Sequence, residues 1–312
     1  MSGWSRRQFV SSAAVGVSAA AVTQVIGNAL PANESTEQDT SSAKESSAEE
    51  LRQLGKTAHT KFAVNIEMWW RKLPFMERLE KAAEFGFPAV EFWPYQGKDI
   101  PAIAKRAKEL KIEIAQFTAW GFVPGMNDPK NEDLVVKTIE EACQVAHQLD
   151  CRKMCVVAGN DIPGVSQEEM HRQTIKALRR AAPIAEREKV MLILEPMNIR
   201  VDHKGHCLYG SPPTIRICKE VGSEFVKINW DLYHMHITEG DLCGRMKEGL
   251  PWIGYLQLAD NPGRHEPGTG EINYAYLLPH IDKLGYQGWI GCEYKPAGKT
   301  VDGLGWMDKY KS

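Results

Sequence analysis

The sequence predicts a single α/β domain closed as a (β/α)8 TIM barrel, and three observations carry that prediction. Short, almost continuously apolar runs recur eight times from residue 61 onward. Longer amphipathic runs separate them. No GxGxxG or GxxxxGK(S/T) turn follows an early run, which argues against a doubly wound open sheet. Strands buried on both faces of a parallel sheet lose the polar alternation of a half-exposed strand, so unbroken apolar runs are their signature. Eight strand–helix repeats fit the ~250 residues typical of a barrel.

The strands are expected at 62–66, 89–92, 113–117, 153–157, 191–195, 225–230, 255–258 and 289–293. Helices are expected at 75–85, 100–110, 132–149, 168–189, 214–221 and 274–284. In the first helix Phe75, Met76, Leu79, Ala82 and Ala83 share one face, as a helix packed on a sheet requires.

Composition narrows the class. Of 312 residues, 43% are hydrophobic and 25% charged, which is ordinary for a globular protein. The net charge of −2 lacks the basic footprint of a nucleic-acid binder, so no nucleic-acid partner is expected. There are seven cysteines and no CxxC pair. They read as small buried hydrophobes rather than as a disulfide framework or a zinc site.

The first sixty residues belong to a different regime. Ser5-Arg6-Arg7-Gln8-Phe9-Val10 resembles the signal of the twin-arginine export route. The Ala/Val-rich stretch from Ser11 to Leu30 is broken by Ser, Gly, Thr, Gln and Asn, too polar for a stable membrane span. Residues 1–32 are therefore expected to be an export signal and 33–60, rich in Ser and Glu, a disordered linker. The barrel is expected over 61–312, and the mature protein outside the cytoplasm without a membrane span.

In a barrel the active site forms at the carboxyl ends of the strands. Strand five ends in Glu195, strand six in Asp231, strand seven carries Gln257 and strand eight ends in Glu293. Four consecutive strands thus present an oxygen ligand at one height. Three carboxylates gathered there repel one another and resist desolvation unless a cation neutralises them. An all-oxygen set suits Mg2+ or Mn2+ better than zinc.

The runs 194–203 (LEPMNIRVDH), 230–236 (WDLYHMH), 257–271 (QLADNPGRHEPGTGE) and 285–296 (GYQGWIGCEYKP) resemble the hydroxypyruvate isomerase family. That family sits among the xylose-isomerase-like barrels, with the ketose 3-epimerases as relatives. The resemblance spans residues 61–298 and is most specific over 191–296. It implies that Glu195, Asp231, Gln257 and Glu293 are metal ligands and that Glu195 and Glu293 form the acid/base pair. It also implies that His234 and Arg264 contact substrate oxygens. Epimerases usually carry His where Gln257 stands, so Gln favours the hydroxypyruvate branch. The implied reaction moves a carbonyl from C2 to C3 of a small hydroxy-keto acid through an enediolate.

The surrounding loops add cations that an anionic substrate would need. Arg200, His203, Arg264, His265 and Lys295 fall above strands five, seven and eight. His203, Arg264, His265 and Lys295 are candidate substrate contacts, with Glu266 beside His265 as an orienting group. Trp69, Trp70, Trp93 and Trp120 follow the first three strands and could wall the pocket. Competing readings stay open: a keto-sugar isomerase or 3-epimerase, a non-catalytic sugar-binding barrel, and an AP-endonuclease-like relative. The last would need a His-rich zinc cluster and a basic face. A homo-oligomer is compatible with all of them.

Overall fold

The structure, a computed structural model, describes residues 61–310. The twin-arginine signal and the linker read from residues 1–60 lie outside the described residues. Eight strands form a closed barrel in chain order: β1 (Lys61–Asn65), β2 (Ala89–Phe92), β3 (Glu113–Trp120), β4 (Lys153–Val157), β5 (Met191–Glu195), β6 (Val226–Asp231), β7 (Ile253–Leu258) and β8 (Trp289–Cys292). Every neighbouring pair is parallel, and β1 closes on β8 with Phe62 opposite Ile290. Around it run α1 (Phe75–Glu84), α2 (Ile100–Leu110), α3 (Glu132–Gln148), α4 (Gln167–Glu188), α5 (Ser211–Val221), α6 (Leu232–Thr238), α7 (Leu242–Gly249) and α8 (Tyr274–Lys283). None of these helices is long and apolar enough to cross a membrane.

Helix ends follow local chemistry. Asp99 accepts from the Ala102 amide and Ser166 from Glu169, each satisfying an orphan N–H of a first turn. Gly222 ends α5 in the left-handed conformation, which a residue without Cβ adopts freely. α6 and α7 are not legible as helices in the sequence. α6 has seven residues and buries Leu232, Tyr233, His234, Met235 and Ile237, so it has no polar face to give a period.

Alternation along the strands builds two separate layers. Phe62, Val64, Val90, Phe92, Leu192, Leu194, Ile228, Leu256 and Ile290 pack outward beneath the helices. The intervening residues, among them Ala63, Ala89, Ala115, Ile193, Tyr255 and Trp289, form a distinct cluster inside the barrel. Further along β1, β2, β6 and β7 the interior turns polar: Asn65, Glu91, Asn229 and Gln257 are all buried. The lumen is thus apolar at the amino ends of the strands and polar at the carboxyl ends, where the candidate site lies. The seven cysteines are free, and all but Cys243 are buried, as expected of small hydrophobes.

Candidate active site

Glu195, Asp231 and Glu293 come together at the carboxyl ends of β5, β6 and β8, joined by His234 from the first turn of α6. One oxygen from each acid and one ring nitrogen of His234 lie within 4.8 Å of one another, and all four residues are buried. A cavity of about 320 Å3 opens above them, walled by Trp93, Thr118, Phe122, Met197, His203 and Arg264.

Each group is held by its neighbours. Asp231 caps α6, with Oδ1 accepting from the Tyr233 amide at 2.8 Å, which leaves Oδ2 for the site. Glu293 Oε1 accepts from Trp93 Nε1 at 2.9 Å and from Asn65 Nδ2 at 3.4 Å. Cys155 Sγ donates to Glu195 Oε2 at 3.2 Å. Arg264 reaches in from the loop after β7, in contact with Glu293 Oε2 and 3.4 Å from Asp231 Oδ2, its guanidinium over the Tyr233 ring.

The electrostatics follow from burial and crowding. Burial pushes the Glu195 carboxyl well above the usual range, and the charges of Glu293 and Asp231 push it further. Burial raises Asp231 to about 7, with Arg264 pulling down and Glu293 pushing up. Burial alone would weaken the Arg264 guanidinium as an acid-holding cation. Glu293, Asp231 and Glu195 outweigh that effect and keep it protonated. One guanidinium against three carboxylates leaves two negative charges uncompensated if all three ionise. That imbalance and the all-oxygen donors are what a divalent cation would relieve.

His234 plays a different part from the acids. Asn198 Oδ1 accepts from the Val201 and Asp202 amides, which fixes the side-chain amide so that Nδ2 faces His234 Nδ1 at 2.7 Å. Nδ1 therefore accepts, and the ring proton sits on Nε2. Burial, reinforced by the Arg264 charge, holds the imidazole pKa well below its usual value, so the ring is neutral. Its Nε2 lies 3.5 Å from Asp231 Oδ2 and 3.8 Å from Glu195 Oε1, so the Nε2–H faces the acids without a hydrogen bond to either.

Gln257 faces the same lumen, one step deeper. Its oxygen accepts from Asn229 Nδ2 at 2.7 Å and its nitrogen donates to Glu91 Oε1 at 2.9 Å. Glu91 also accepts from Asn65 at 3.0 Å and Gln116 at 3.2 Å, so three amides converge on one buried carboxylate. Burial, followed by the charge of Glu293, raises Glu91 to about 7. A Cβ at position 291 would come within 2.3 Å of its Oε2, so Gly291 is the gap in β8 that admits it.

Three comparisons place this geometry. The family model for xylose isomerase-like TIM barrels matches residues 79–310. The hydroxypyruvate isomerase of Escherichia coli (strain K12) is 37% identical over 258 residues, covering 80% of this chain and 99% of that protein. The chain belongs to the hydroxypyruvate isomerase family of xylose isomerase-like TIM barrels. It is an isomerase. A 2-oxo-tetronate isomerase of Cupriavidus necator is 36% identical over 257 residues, 80% of this chain and 98% of the relative. Among solved structures, the AP endonuclease, family 2, from Brucella melitensis is 31% identical with a TM-score of 0.75, covering 80% of this chain and 99% of that one.

Against the expectations for this hydroxypyruvate isomerase family member, Glu195, His203, His234, Arg264 and Glu293 line one cavity, and Asp231 is clustered with Glu195, His234 and Glu293. His265 and Lys295 do not line it, a correction to their reading as substrate contacts, and neither does Glu266, expected beside His265 as an orienting group. His265 Nδ1 donates to the Lys295 carbonyl at 2.7 Å, and Glu266 accepts from the Ala297 amide at 2.9 Å. Both lace the loop after β7 to the loop after β8, and the Lys295 side chain lines a separate groove. These links, with Asp260 accepting from the amides of Asn261, Gly268, Gly270 and Ile272, hold the loop that carries Arg264. Of the four tryptophans, Trp93 walls the cavity. Trp69 and Trp120 are core, and Trp70 lines the other groove.

Sequence reasoning misses Glu91, Asn198, Thr118 and Phe122. Glu91 has a signal, an acid inside an otherwise apolar strand. Asn198 lies in the family-like run after Glu195. Thr118 and Phe122 have none, because β3 runs three residues beyond its expected end at Phe117.

Proposed function

We propose that this isomerase acts on 3-hydroxy-2-oxo-carboxylates, interconverting hydroxypyruvate and tartronate semialdehyde, with a divalent cation, Mg2+ or Mn2+, held by Glu195, Asp231 and Glu293 and completed by Gln257. The observation that carries the reading is the buried convergence of three carboxylates with a neutral Nε2–H donor and one guanidinium. When bound, the cation would supply Lewis-acid polarisation of the substrate's ketone and hydroxyl oxygens.

The chain's own residues do the rest. Arg264 binds the substrate carboxylate through its planar fork. His234 Nε2–H donates to the oxygen on which charge develops. One of Glu195 and Glu293 takes the proton from C3, and the C–H electron pair becomes the C2=C3 bond of an enediolate. The C3 hydroxyl proton passes to the C2 oxygen, C3 becomes the carbonyl carbon, and the glutamate pair returns a proton to C2. Atoms and electrons balance, and the product is an isomer. Glu195 and Glu293 stand on strands separated by β6 and β7, so they approach the substrate from different sides. Trp93 and Phe122, the latter stacked on His203 at 5.0 Å, shield the enediolate from water.

The 2-oxo-tetronate isomerase relative favours a second reading, the same reaction on a four-carbon substrate. Both substrates carry the 2-oxo-3-hydroxy acid unit that the site would grip. The twin-arginine motif supports the further proposal that the enzyme works outside the cytoplasm.

The test is solvent-proton exchange in deuterated water. Protein loaded with Mg2+ or Mn2+ is expected to exchange the C3 proton of hydroxypyruvate and to convert it to tartronate semialdehyde. Exchange on 2-oxo-tetronate in its place selects the second reading. If neither acid exchanges while ketoses do, the proposal gives way to a 3-epimerase.

A further inference from the structure

A second, larger depression opens on the same face of the barrel. It lies between the loops that follow β1 and β8 and has a volume of about 690 Å3, roughly twice that of the catalytic cavity. Trp70, Arg71 and Lys72 line one side, and Lys295 and Lys299 the other. No acidic side chain is among the lining residues.

The cations there are uncompensated. Among the described residues, Arg71 is the one arginine whose guanidinium has no partner. The others bond a carboxylate or a main-chain carbonyl, as Arg78, Arg180 and Arg200 do. Lys72, Lys295 and Lys299 also lack ion-pair partners among the described residues. The nearby acid Glu67 is already engaged by Arg78 and Lys98. All four side chains are exposed, and gathering four like charges around one concavity with no acid among its lining residues makes a positive potential that attracts an anion.

The walls are fixed in advance. Arg78 donates to the carbonyls of Ile66 (3.1 Å), Arg71 (3.3 Å) and Leu73 (2.8 Å), so the loop after β1 is clamped from beneath. Trp70 sits at φ 48°, a left-handed conformation that a bulky residue rarely adopts. Its ring, stacked on Phe85 at 5.9 Å and edge-on to Trp69 at 5.6 Å, holds it there. Strain of this kind persists where surrounding contacts over-determine it, and such places cluster at ligand sites. On the other wall, the main chain of Lys295 is bonded to Arg264 and to His265.

We propose that this groove is a binding site for an organic polyanion carrying two or more phosphate or carboxylate groups, distinct from the catalytic cavity. The unpartnered Arg71 fork takes one anionic group. Lys72, Lys295 and Lys299 supply point charges for the others.

Titration calorimetry of the full chain at low salt, with inorganic pyrophosphate and with citrate as probes, tests this. One saturable site is expected, with a Kd of about 1 mM or tighter. Arg71→Ala combined with Lys299→Ala, both exposed positions, should weaken it at least tenfold. Arg264→Ala, which removes the cation of the catalytic cavity, should leave it unchanged. Tighter binding of pyrophosphate identifies a phosphate ligand, and of citrate a carboxylate one. No saturable binding of either probe overturns the proposal. So does binding that survives the double substitution and disappears with Arg264→Ala.

Discussion

The two halves of the barrel have the same architecture and different work. β5 to β8 end in Glu195, Asp231, Gln257 and Glu293, and the loop after β7 adds Arg264. β1 to β4 bring one acid to this end of the lumen, Glu91, and it is not part of the cluster. They contribute Trp93, Thr118 and Phe122 to the cavity wall, and Asn65 and Glu91 to the lumen beneath it. One half holds the acids and the guanidinium of the candidate site, and the other supplies hydrogen bonds to them and walls the cavity. The contacts between the two halves make this division physical. Trp93 and Asn65 both donate to Glu293, and Glu91 fixes the amide of Gln257. A strand end that looks inert in isolation therefore acts through a partner on another strand.

The division is tested hardest by removing a reactive group from the second half. Glu293→Gln keeps the shape and loses the proton carrier, so turnover should fall by about 10³, within the range of general acid–base catalysis. The melting temperature should hold or rise, because one of three mutually repelling carboxylates is gone. Activity within tenfold of the parent would remove Glu293 from the chemistry.

A subtler test lies in the first half. Glu91→Gln is isosteric but cannot accept three amide donors through two carboxylate oxygens. Gln257 should lose its fixed orientation, and Mn2+ affinity measured by calorimetry should fall by about tenfold or more, the usual effect of losing a group that orients a ligand. Unchanged Mn2+ affinity together with unchanged turnover would make Glu91 a passive filler of the lumen.

The same asymmetry decides how much is legible in the sequence. In the second half each acid closes an apolar run, so its height in the barrel follows from strand ends alone. The first half offers rhythm without chemistry. Trp93, Thr118 and Phe122 are residue types that cores use everywhere, and what places them at the cavity is the three-dimensional closure of β3 and β4. α6 is hidden because it is buried all round, although its cap, Asp231, is among the residues that the strand ends single out. His265, Glu266 and Lys295 look like contacts because they neighbour Arg264 or Glu293 in sequence. The left-handed backbone at Arg264, φ 56°, sends neighbouring side chains apart, and sequence proximity does not reveal that.

The smallest expected effect is the most informative about the division itself. Trp93→Phe keeps the aromatic wall and deletes the indole N–H that meets Glu293 Oε1 at 2.9 Å. A hydrogen bond to a charged group contributes roughly 1.5–3 kcal/mol. Here Arg264 and Asn65 also hold Glu293, so the lower end applies and kcat should fall by about tenfold. KM should move by less than about twofold, since the wall that substrate touches is still there. A rise in KM at constant kcat would point the other way, with Trp93 serving only as a wall. The first half would then shape the cavity without tuning the acid it faces.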